Sequence, residues 1–246
     1  MRLFQKFLAA FSLGLVVMTA SASPASPVAG TDYRVLDKPQ QTDSGKKVEV
    51  TEFFWYSCPH CNAFEPQLVE WVKKQGNNIV FKRVPIAFRP SFEPQQRLYY
   101  TLEAMGKTDE LHSKVFHRIH ADRQPLDTEA AIVDFIEKQG VDKKKFLEVY
   151  NSFGVQTKVR RATQLQQEYK IDGVPTIAID GRYLTSPSIV GATMGNQPEN
   201  VLGNATVQVM TWLVNKAAKD QKAQVADPKA ATVKVAQAAS GTGAKN

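Results

Sequence analysis

The 246-residue chain has very few cysteines: only Cys58 and Cys61 are present, three positions apart. Small secreted domains held together by disulfides carry many widely spread cysteines, so that class of protein is excluded. A purely structural disulfide across so short a ring would stabilise the fold little compared with one that closes a long loop. The scarcity of cysteine therefore favours a chemical role for this pair.

A zinc site is the main alternative for two cysteines at this spacing. A structural zinc ion needs four ligands, and one CxxC pair supplies two of them. His112, His117 and His120 are candidates for the others, but their spacing of five and three residues scatters them around a helix. We interpret them as surface or hydrogen-bonded histidines and predict that the protein holds no metal and no cofactor.

The chain also lacks an apolar run of the roughly 20 residues that a membrane span needs. The shorter apolar run from Phe7 to Met18 follows the basic residues Arg2 and Lys6 and precedes the small residues Ala20-Ser21-Ala22. This order is typical of a secretory signal peptide. Residues 1–22 are therefore predicted to be removed near Ala22 as the protein is exported.

Strongly concentrated positive charge is absent, although the formal net charge is +7. Arg2 and Lys6 belong to the predicted signal peptide, and the segment after Gln221 has four lysines against one aspartate. The body of the chain is left nearly balanced. A nucleic-acid-binding surface needs cationic residues massed on one element, so nucleic acid is not an expected partner.

A strand–helix–strand pattern occupies residues 47–85. Lys47 to Tyr56 is rich in strand-forming residues, and apolar residues recur at helical spacing from Cys58 to Gln75. Gly76 marks the end of that helix, and Ile79 to Pro85 is a second apolar strand. Two strands joined by a helix predict a right-handed parallel crossover unit.

Helical periodicity then dominates residues 93–169, with Asp127 and Asp142 as expected N-caps. Strand character returns at Thr176 to Ile179, followed by an Asp180-Gly181 hairpin turn.

A last helix is expected from Asn204 to about Ala218. The remainder, residues 222–246, is rich in Ala, Lys, Gln, Thr and Gly, and we predict that it is disordered.

The Cys58-Pro59-His60-Cys61 motif lies at the start of the helix predicted from Cys58 to Gln75. Unpaired backbone N–H groups and the helix dipole favour negative charge there, so Cys58 should lose its proton easily and act as a nucleophile. Cys61 is one turn further on and is expected to be covered, whereas Cys58 is expected to be exposed. Pro59 suits the first helical turn, and His60 adds an N–H donor and at times a positive charge near Cys58.

Two further sets of residues are candidates for the same site as the motif. Val174-Pro175 lies directly before a strand, a position where proline is tolerated, and the residues alone suggest an ordinary trans bond. Glu52 shares one face of the first long strand with apolar residues, so it is expected to be buried with a raised pKa, unless it lies at an edge and reaches water. Lys82 or Arg83 on the next strand could pair with it.

On these residues the chain resembles the thioredoxin superfamily and, more narrowly, the DsbA family of periplasmic dithiol oxidases. The similarity covers about residues 33–220. Its marks are Glu52-Phe53-Phe54, the Cys58-Pro59-His60-Cys61 motif and Gly173-Val174-Pro175-Thr176.

The resemblance implies an α/β, thioredoxin-like fold with an inserted helical domain. The expected division is a first half at 33–88, the insertion at 89–168, a second half at 169–221 and the tail at 222–246.

The resemblance also assigns roles to site residues. Cys58 attacks and carries the substrate, while Cys61 resolves the mixed disulfide. Pro175 is expected to be cis and to face the disulfide, and Val174 to bind a substrate strand. Glu52 matches the family's buried acid beneath the inner cysteine, although Arg83 stands where the family has a lysine.

The expected function is a monomeric periplasmic oxidoreductase of a Gram-negative bacterium, which donates its Cys58–Cys61 disulfide to unfolded exported proteins bearing cysteines. A DsbB-like membrane oxidase is the expected partner for reoxidation. A disulfide isomerase or reductase of the same superfamily and a redox-inert metal-holding module are the alternatives.

Overall fold

The computed structural model describes residues 26–226 of the protein. The predicted signal peptide and residues 227–246 of the predicted disordered tail lie outside the described residues. Within 26–226, no helix is both long enough and apolar enough to cross a membrane.

A single five-stranded sheet forms the centre of the fold. Its strands are β1 (Arg34–Val35), β2 (Val48–Phe54), β3 (Ile79–Pro85), β4 (Thr176–Ile179) and β5 (Tyr183–Thr185), in the spatial order β1-β5-β4-β2-β3. Only β2 and β3 are parallel, and the other neighbours are antiparallel. Every residue of β2 is buried, and this strand lies between β4 and β3 in the sheet.

Helix α1 (Pro59–Gln75) connects β2 to β3, which confirms the predicted strand–helix–strand unit. Strand β2 ends at Phe54, two residues earlier than predicted. The reason is a turn, in which the Cys58 N–H donates to the Trp55 carbonyl at 3.0 Å. Gly76 ends α1 with a φ of 52°, in the left-handed region that glycine adopts at little cost.

Five helices lie between β3 and β4, where helical periodicity was expected. They are α2 (Glu93–Ala104), α3 (Thr108–His120), α4 (Glu129–Lys138), α5 (Lys143–Tyr150) and α6 (Phe153–Glu168). Asp142 caps α5 as predicted, since its side chain accepts from the Lys145 N–H at 2.7 Å. The prediction for Asp127 is wrong: the neighbouring Thr128 caps α4 by accepting from the Ala131 N–H at 3.2 Å.

After the β4–β5 hairpin come α7 (Pro187–Gly191) and α8 (Glu199–Ala226). The turn has positive φ at both Asp180 and Gly181, as the dipeptide predicted. Asn204 does not cap the last helix, because the Pro198 carbonyl already accepts the N–H groups of Val201 and Leu202. Helix α8 therefore begins earlier than predicted, and it also continues beyond residue 221, where we expected order to end.

Two hydrophobic clusters share this architecture. One packs α1 and α8 against the sheet through side chains such as Val50, Leu68 and Met210. The other joins the end of β2 and both cysteines to α2–α6, through side chains such as Phe54 and Phe116. The Cys58-Pro59-His60-Cys61 motif therefore begins where the sheet meets the helical block.

Candidate active site

Cys58 is the N-cap residue of α1, with an extended backbone conformation and with its sulfur accepting a hydrogen bond from the Cys61 N–H at 3.4 Å. Pro59 follows in the first turn, where its missing N–H costs no intrahelical hydrogen bond. No acidic residue lies in that turn. The start of α1 therefore presents a sulfur to unpaired N–H groups, as the motif predicted.

The two thiols are free in this structure and are covered to different degrees. Cys61 is fully buried, and Cys58 is 6% exposed. The expectation of an exposed Cys58 is therefore too strong. The chain that precedes β4 covers it, because the Cys58 sulfur lies 3.3 Å from the Val174 carbonyl oxygen, to which it donates when it carries a proton.

The two thiols also differ in acidity. The pKa of Cys58 is lowered to about 6, chiefly by a hydrogen bond from the Cys61 thiol. Burial opposes this shift, whereas the backbone N–H groups of Cys61 and His60 and the charge of His60 add to it. Burial, together with the hydrogen bond to Cys58 and the charges of Cys58 and Glu52, raises the pKa of Cys61 well above 9.0. At neutral pH, Cys58 is the thiolate and Cys61 is the thiol.

The Val174–Pro175 bond is cis, in agreement with the family resemblance and not with the trans bond that the residues alone suggested. Together with His60, both residues line a cleft of about 260 Å³ beside α7. Because the Val174 carbonyl contacts the Cys58 sulfur, a polypeptide lying in this cleft would pass within reach of the thiolate.

His60 has a partner that the sequence did not indicate. Its Nδ1 atom lies 2.6 Å from Oε1 of Glu199, the first residue of α8, and both side chains are partly exposed. An acidic residue in the first turn of a helix is favoured by the helix dipole. The contact links the start of the last helix to the redox motif.

Glu52 is buried completely and pairs with Arg83 and not with Lys82. The Nε atom of Arg83 lies 2.8 Å from Oε2 of Glu52, in agreement with their opposite positions in the parallel β2–β3 register. Lys82 instead pairs with Glu49 at 2.8 Å. Burial, partly opposed by Arg83, raises the pKa of Glu52 to about 7.

A second buried carboxylate, Glu65 on α1, shares the same guanidinium at 2.7 Å. It was not expected from the sequence, although it lies one helical turn after Cys61 and next to the core residue Phe64, where an acid is unusual. His112 on α3 lies behind it, with Nε2 3.4 Å from the Glu65 carboxylate. The site therefore extends from the sheet into the helical block.

Tyr56 is held by two histidines of α3. Its hydroxyl lies 2.8 Å from Nδ1 of His112, and its carbonyl accepts from Nε2 of His120 at 2.8 Å. The interpretation of these histidines as hydrogen-bonded groups agrees with this geometry. Among residues 26–226, no group of three or more His, Cys, Asp or Glu side chains is placed to hold a metal ion.

The low pKa of Cys58 predicts how the stability of the reduced protein changes with pH. Because its pKa falls from 9.0 in the unfolded chain to about 6 in the fold, the thiolate adds stability above pH 6 that is lost as pH falls through 6. This contribution is about 1.4 kcal/mol at pH 7 and about 4 kcal/mol above pH 9. Urea unfolding of the reduced protein between pH 5.5 and 8.5 measures it.

The matched control is reduced Cys58→Ser, which lacks the thiol and should show a flatter pH profile. Oxidised protein should also lack the contribution, since its sulfurs carry no proton. Identical pH profiles for reduced wild type and Cys58→Ser would contradict the assignment of the low pKa to Cys58.

Comparison with known proteins agrees with this geometry. A family model described as "DSBA-like thioredoxin domain" matches residues 49–206. The thiol:disulfide interchange protein DsbA of Burkholderia cepacia is 46% identical over 212 residues, covering 86% of this chain and 95% of the relative. The protein of the same name from Bordetella pertussis is 44% identical over 188 residues, covering 76% and 88%.

Solved structures give the same relationship. The crystal structure of Pseudomonas aeruginosa DsbA superposes with a TM-score of 0.72 at 34% identity, covering 80% of this chain and 97% of that one. The oxidoreductase NmDsbA1 from N. meningitidis superposes with a TM-score of 0.65 at 25% identity, covering 79% and 96%.

Proposed function

The chain belongs to the DSBA-like thioredoxin domain family and is a protein-disulfide oxidoreductase, and we propose that Cys58 and Cys61 are the redox pair with which it oxidises exported proteins. The observation that carries this proposal is the different placement of the two sulfurs: the Cys58 sulfur lies at the start of α1 and accepts the Cys61 N–H, whereas Cys61 is fully buried. The lowered pKa of Cys58 and the raised pKa of Cys61 agree with this difference. One sulfur is suited to exchange with substrates and the other to resolve the exchange.

The reaction begins with the Cys58–Cys61 disulfide. A substrate thiolate attacks the Cys58 sulfur, so that a substrate–Cys58 disulfide forms and Cys61 leaves as a thiolate that takes up a proton. A second substrate thiolate then attacks the substrate sulfur of this mixed disulfide. The substrate gains a disulfide and loses two electrons, while Cys58 leaves as a thiolate that the start of α1 stabilises.

The substrate cleft supplies positioning. Val174 offers backbone hydrogen-bonding groups next to Cys58, and Pro175 and His60 line the same cleft. An extended, unfolded chain can pair with such backbone groups by hydrogen bonds with little dependence on its sequence. Exported proteins bearing cysteines are therefore the substrate class.

The reduced protein then needs an oxidant. A DsbB-like, quinone-linked membrane oxidase fills this role in the periplasm of a Gram-negative bacterium, after removal of the predicted signal peptide near Ala22. The protein acts as a monomer, with residues 89–168 as a helical domain inserted between the two thioredoxin-like halves, 33–88 and 169–221.

A transfer experiment tests this function. Purified oxidised protein is mixed with a reduced, unfolded peptide containing two cysteines, and we expect one disulfide to pass to the peptide for each protein molecule. Mass spectrometry of acid-quenched samples counts the thiols on both partners. Cys58→Ser should transfer none, and wild type that leaves the peptide reduced would contradict the proposal.

The alternatives give different results in the same preparation. An isomerase would correct scrambled disulfides faster than it oxidises a reduced peptide. A metal-holding module would purify with one zinc ion on Cys58 and Cys61, and stoichiometric zinc in the wild type would overturn the oxidase proposal.

A further inference from the structure

The buried charges beneath the redox motif do not balance. Glu52 and Glu65 are two carboxylates, and Arg83 is the one guanidinium that contacts both. Glu52 is fully buried and Glu65 is 8% exposed, so an excess negative charge here costs much more than at the surface. When both acids are ionised, the cluster needs further stabilisation.

His112 is placed to supply it. Its Nδ1 lies 2.8 Å from the Tyr56 hydroxyl, and burial raises the pKa of Tyr56 well above 10.0, so this hydroxyl keeps its proton and donates it to Nδ1. Burial also lowers the pKa of His112, so the ring is neutral at pH 7 and carries its single proton on Nε2. That atom lies 3.4 Å from the Glu65 carboxylate, too far and too poorly aligned for a hydrogen bond, and it is a buried donor with no hydrogen-bond partner among the described residues.

We infer that His112 is a positioning residue for the redox step: by directing its Nε2–H at Glu65, it favours the fully ionised cluster and leaves Glu52 free to accept the Cys61 proton. The inference rests on the proposed role of Cys61 as the resolving cysteine. His112 belongs to α3 in the helical block, and none of the hydrogen bonds described above joins it to either cysteine sulfur.

The step itself balances within the site. Glu52 takes the proton from the Cys61 thiol, and the resulting thiolate attacks the Cys58 sulfur of a mixed disulfide. A bond forms between Cys58 and Cys61, the bond from Cys58 to the outer partner breaks, and that partner leaves as a thiolate. In this step the Cys61 sulfur is oxidised from the thiol to the disulfide level, the sulfur of the departing partner is reduced from the disulfide to the thiolate level, and Cys58 stays at the disulfide level.

Every charged or titratable group that faces the cluster fits this assignment. Glu52 comes from β2, Arg83 from β3, Glu65 from α1 and His112 from α3, and the remaining neighbours are Tyr56, Tyr99 and the two cysteines.

The acidities of the two carboxyls support the same assignment. Burial opposes ionisation of Glu65, but the contacts with His112 and Arg83 outweigh it and lower the Glu65 pKa. Glu52, with a pKa raised to about 7, is the group that exchanges the proton.

The test follows the pH dependence of Cys61 attack. Reduced protein is mixed with oxidised glutathione, which forms a mixed disulfide on Cys58, and acid-quenched samples are analysed by mass spectrometry for its first-order resolution. In His112→Phe, Glu65 must draw more of its stabilisation from the shared Arg83, which then stabilises ionised Glu52 less. We therefore expect the acid limb of the pH–rate profile to move up by about one unit, which slows resolution about tenfold at pH 6. Phenylalanine suits the position, because the rings of Phe54, Tyr99 and Phe116 surround His112.

Three variants separate positioning from a structural effect. His112→Gln keeps an N–H donor and should stay close to the wild-type profile. His117→Phe alters an exposed histidine of the same helix, whose ion-pair partner is Asp122, and should change nothing. Tyr56→Phe frees Nδ1 of His112 and should move the acid limb in the same direction as His112→Phe but less far, so the test survives if His112→Phe does not fold.

An unshifted acid limb in both His112→Phe and Tyr56→Phe would overturn the inference, as would equal slowing at every pH. Failure of the underlying function looks different: the wild type itself would then form no glutathione adduct on Cys58.

Discussion

Replacing Cys61 with alanine is expected to leave substrates covalently attached to Cys58. In the mixed disulfide, Cys61 is the nearest sulfur able to attack Cys58, since it lies one helical turn away and donates its N–H to the Cys58 sulfur. In the variant, the Cys58 thiolate attacks a disulfide of a substrate protein, one substrate sulfur leaves as a thiolate, and the substrate–Cys58 disulfide persists until another thiol attacks it. Oxidation of substrates by the protein should fall on the order of 10³-fold or more, as when other covalent catalysts lose an essential group.

Cells expressing Cys61→Ala should therefore contain adducts that run as larger species on non-reducing gels and disappear with reductant. Mass spectrometry of the purified adducts would identify the exported substrates. The matched control is the double variant Cys58→Ser, Cys61→Ala, which has no sulfur and should form none. Complete absence of adducts on Cys61→Ala would count decisively against Cys58 as the substrate-linked sulfur.

Replacing Arg83 with methionine is expected to lower the free energy of unfolding, and to lower it most at neutral and alkaline pH. Arg83 is the one guanidinium that holds two buried carboxylates, Glu52 and Glu65. Removing one member of a buried ion pair typically costs about 3–5 kcal/mol, because the remaining charge is left uncompensated. Urea unfolding at pH 8 measures the loss.

The loss should depend on pH in a defined direction. Without Arg83, the pKa of Glu52 rises further above its unfolded value, and the pKa of Glu65 rises from the lowered value that Arg83 helps to maintain, so ionisation of the two carboxyls destabilises the variant as pH rises. The deficit therefore shrinks as pH falls toward about 4, where both carboxyls are protonated in either state.

Lys82→Met is the matched control, since Lys82 is the preceding residue on β3 and its pair with Glu49 is partly exposed. It should cost about 1 kcal/mol or less. Adding Glu52→Gln to Arg83→Met should recover part of the loss. An Arg83→Met deficit that is no larger than that of Lys82→Met would contradict the importance of the buried cluster.

Local sequence patterns were sufficient for much of the fold. The strand from Ile79 to Pro85 and the strand from Thr176 to Ile179 lie where apolar runs and turn residues predicted them. Errors arose at helix starts, where several polar residues compete for the cap. Thr128 and not Asp127 caps α4, and Pro198 starts α8 before Asn204.

The site was predictable only as far as it is local in sequence. The acidity of Cys58 follows from its place at a helix start, and the burial of Glu52 follows from the apolar face of its strand. Glu65 of α1 and His112 of α3 meet at the buried cluster, and Glu199 of α8 reaches His60. One sequence carries no signal for such contacts beyond the presence of a polar residue among apolar ones.

The acidic thiol of Cys58 lies one helical turn from the buried thiol of Cys61, and this spacing affects how the protein responds to chemical oxidants. A peroxide reacts with the Cys58 thiolate to give a sulfenic acid, which is the first step toward irreversible oxidation. Cys61, one turn away, condenses with that sulfenic acid, releasing water and forming the Cys58–Cys61 disulfide. Because Cys61 has no exposed surface, it is itself shielded from direct attack. We therefore expect mild treatment with peroxide to return the reduced protein to its disulfide form before irreversible oxidation accumulates.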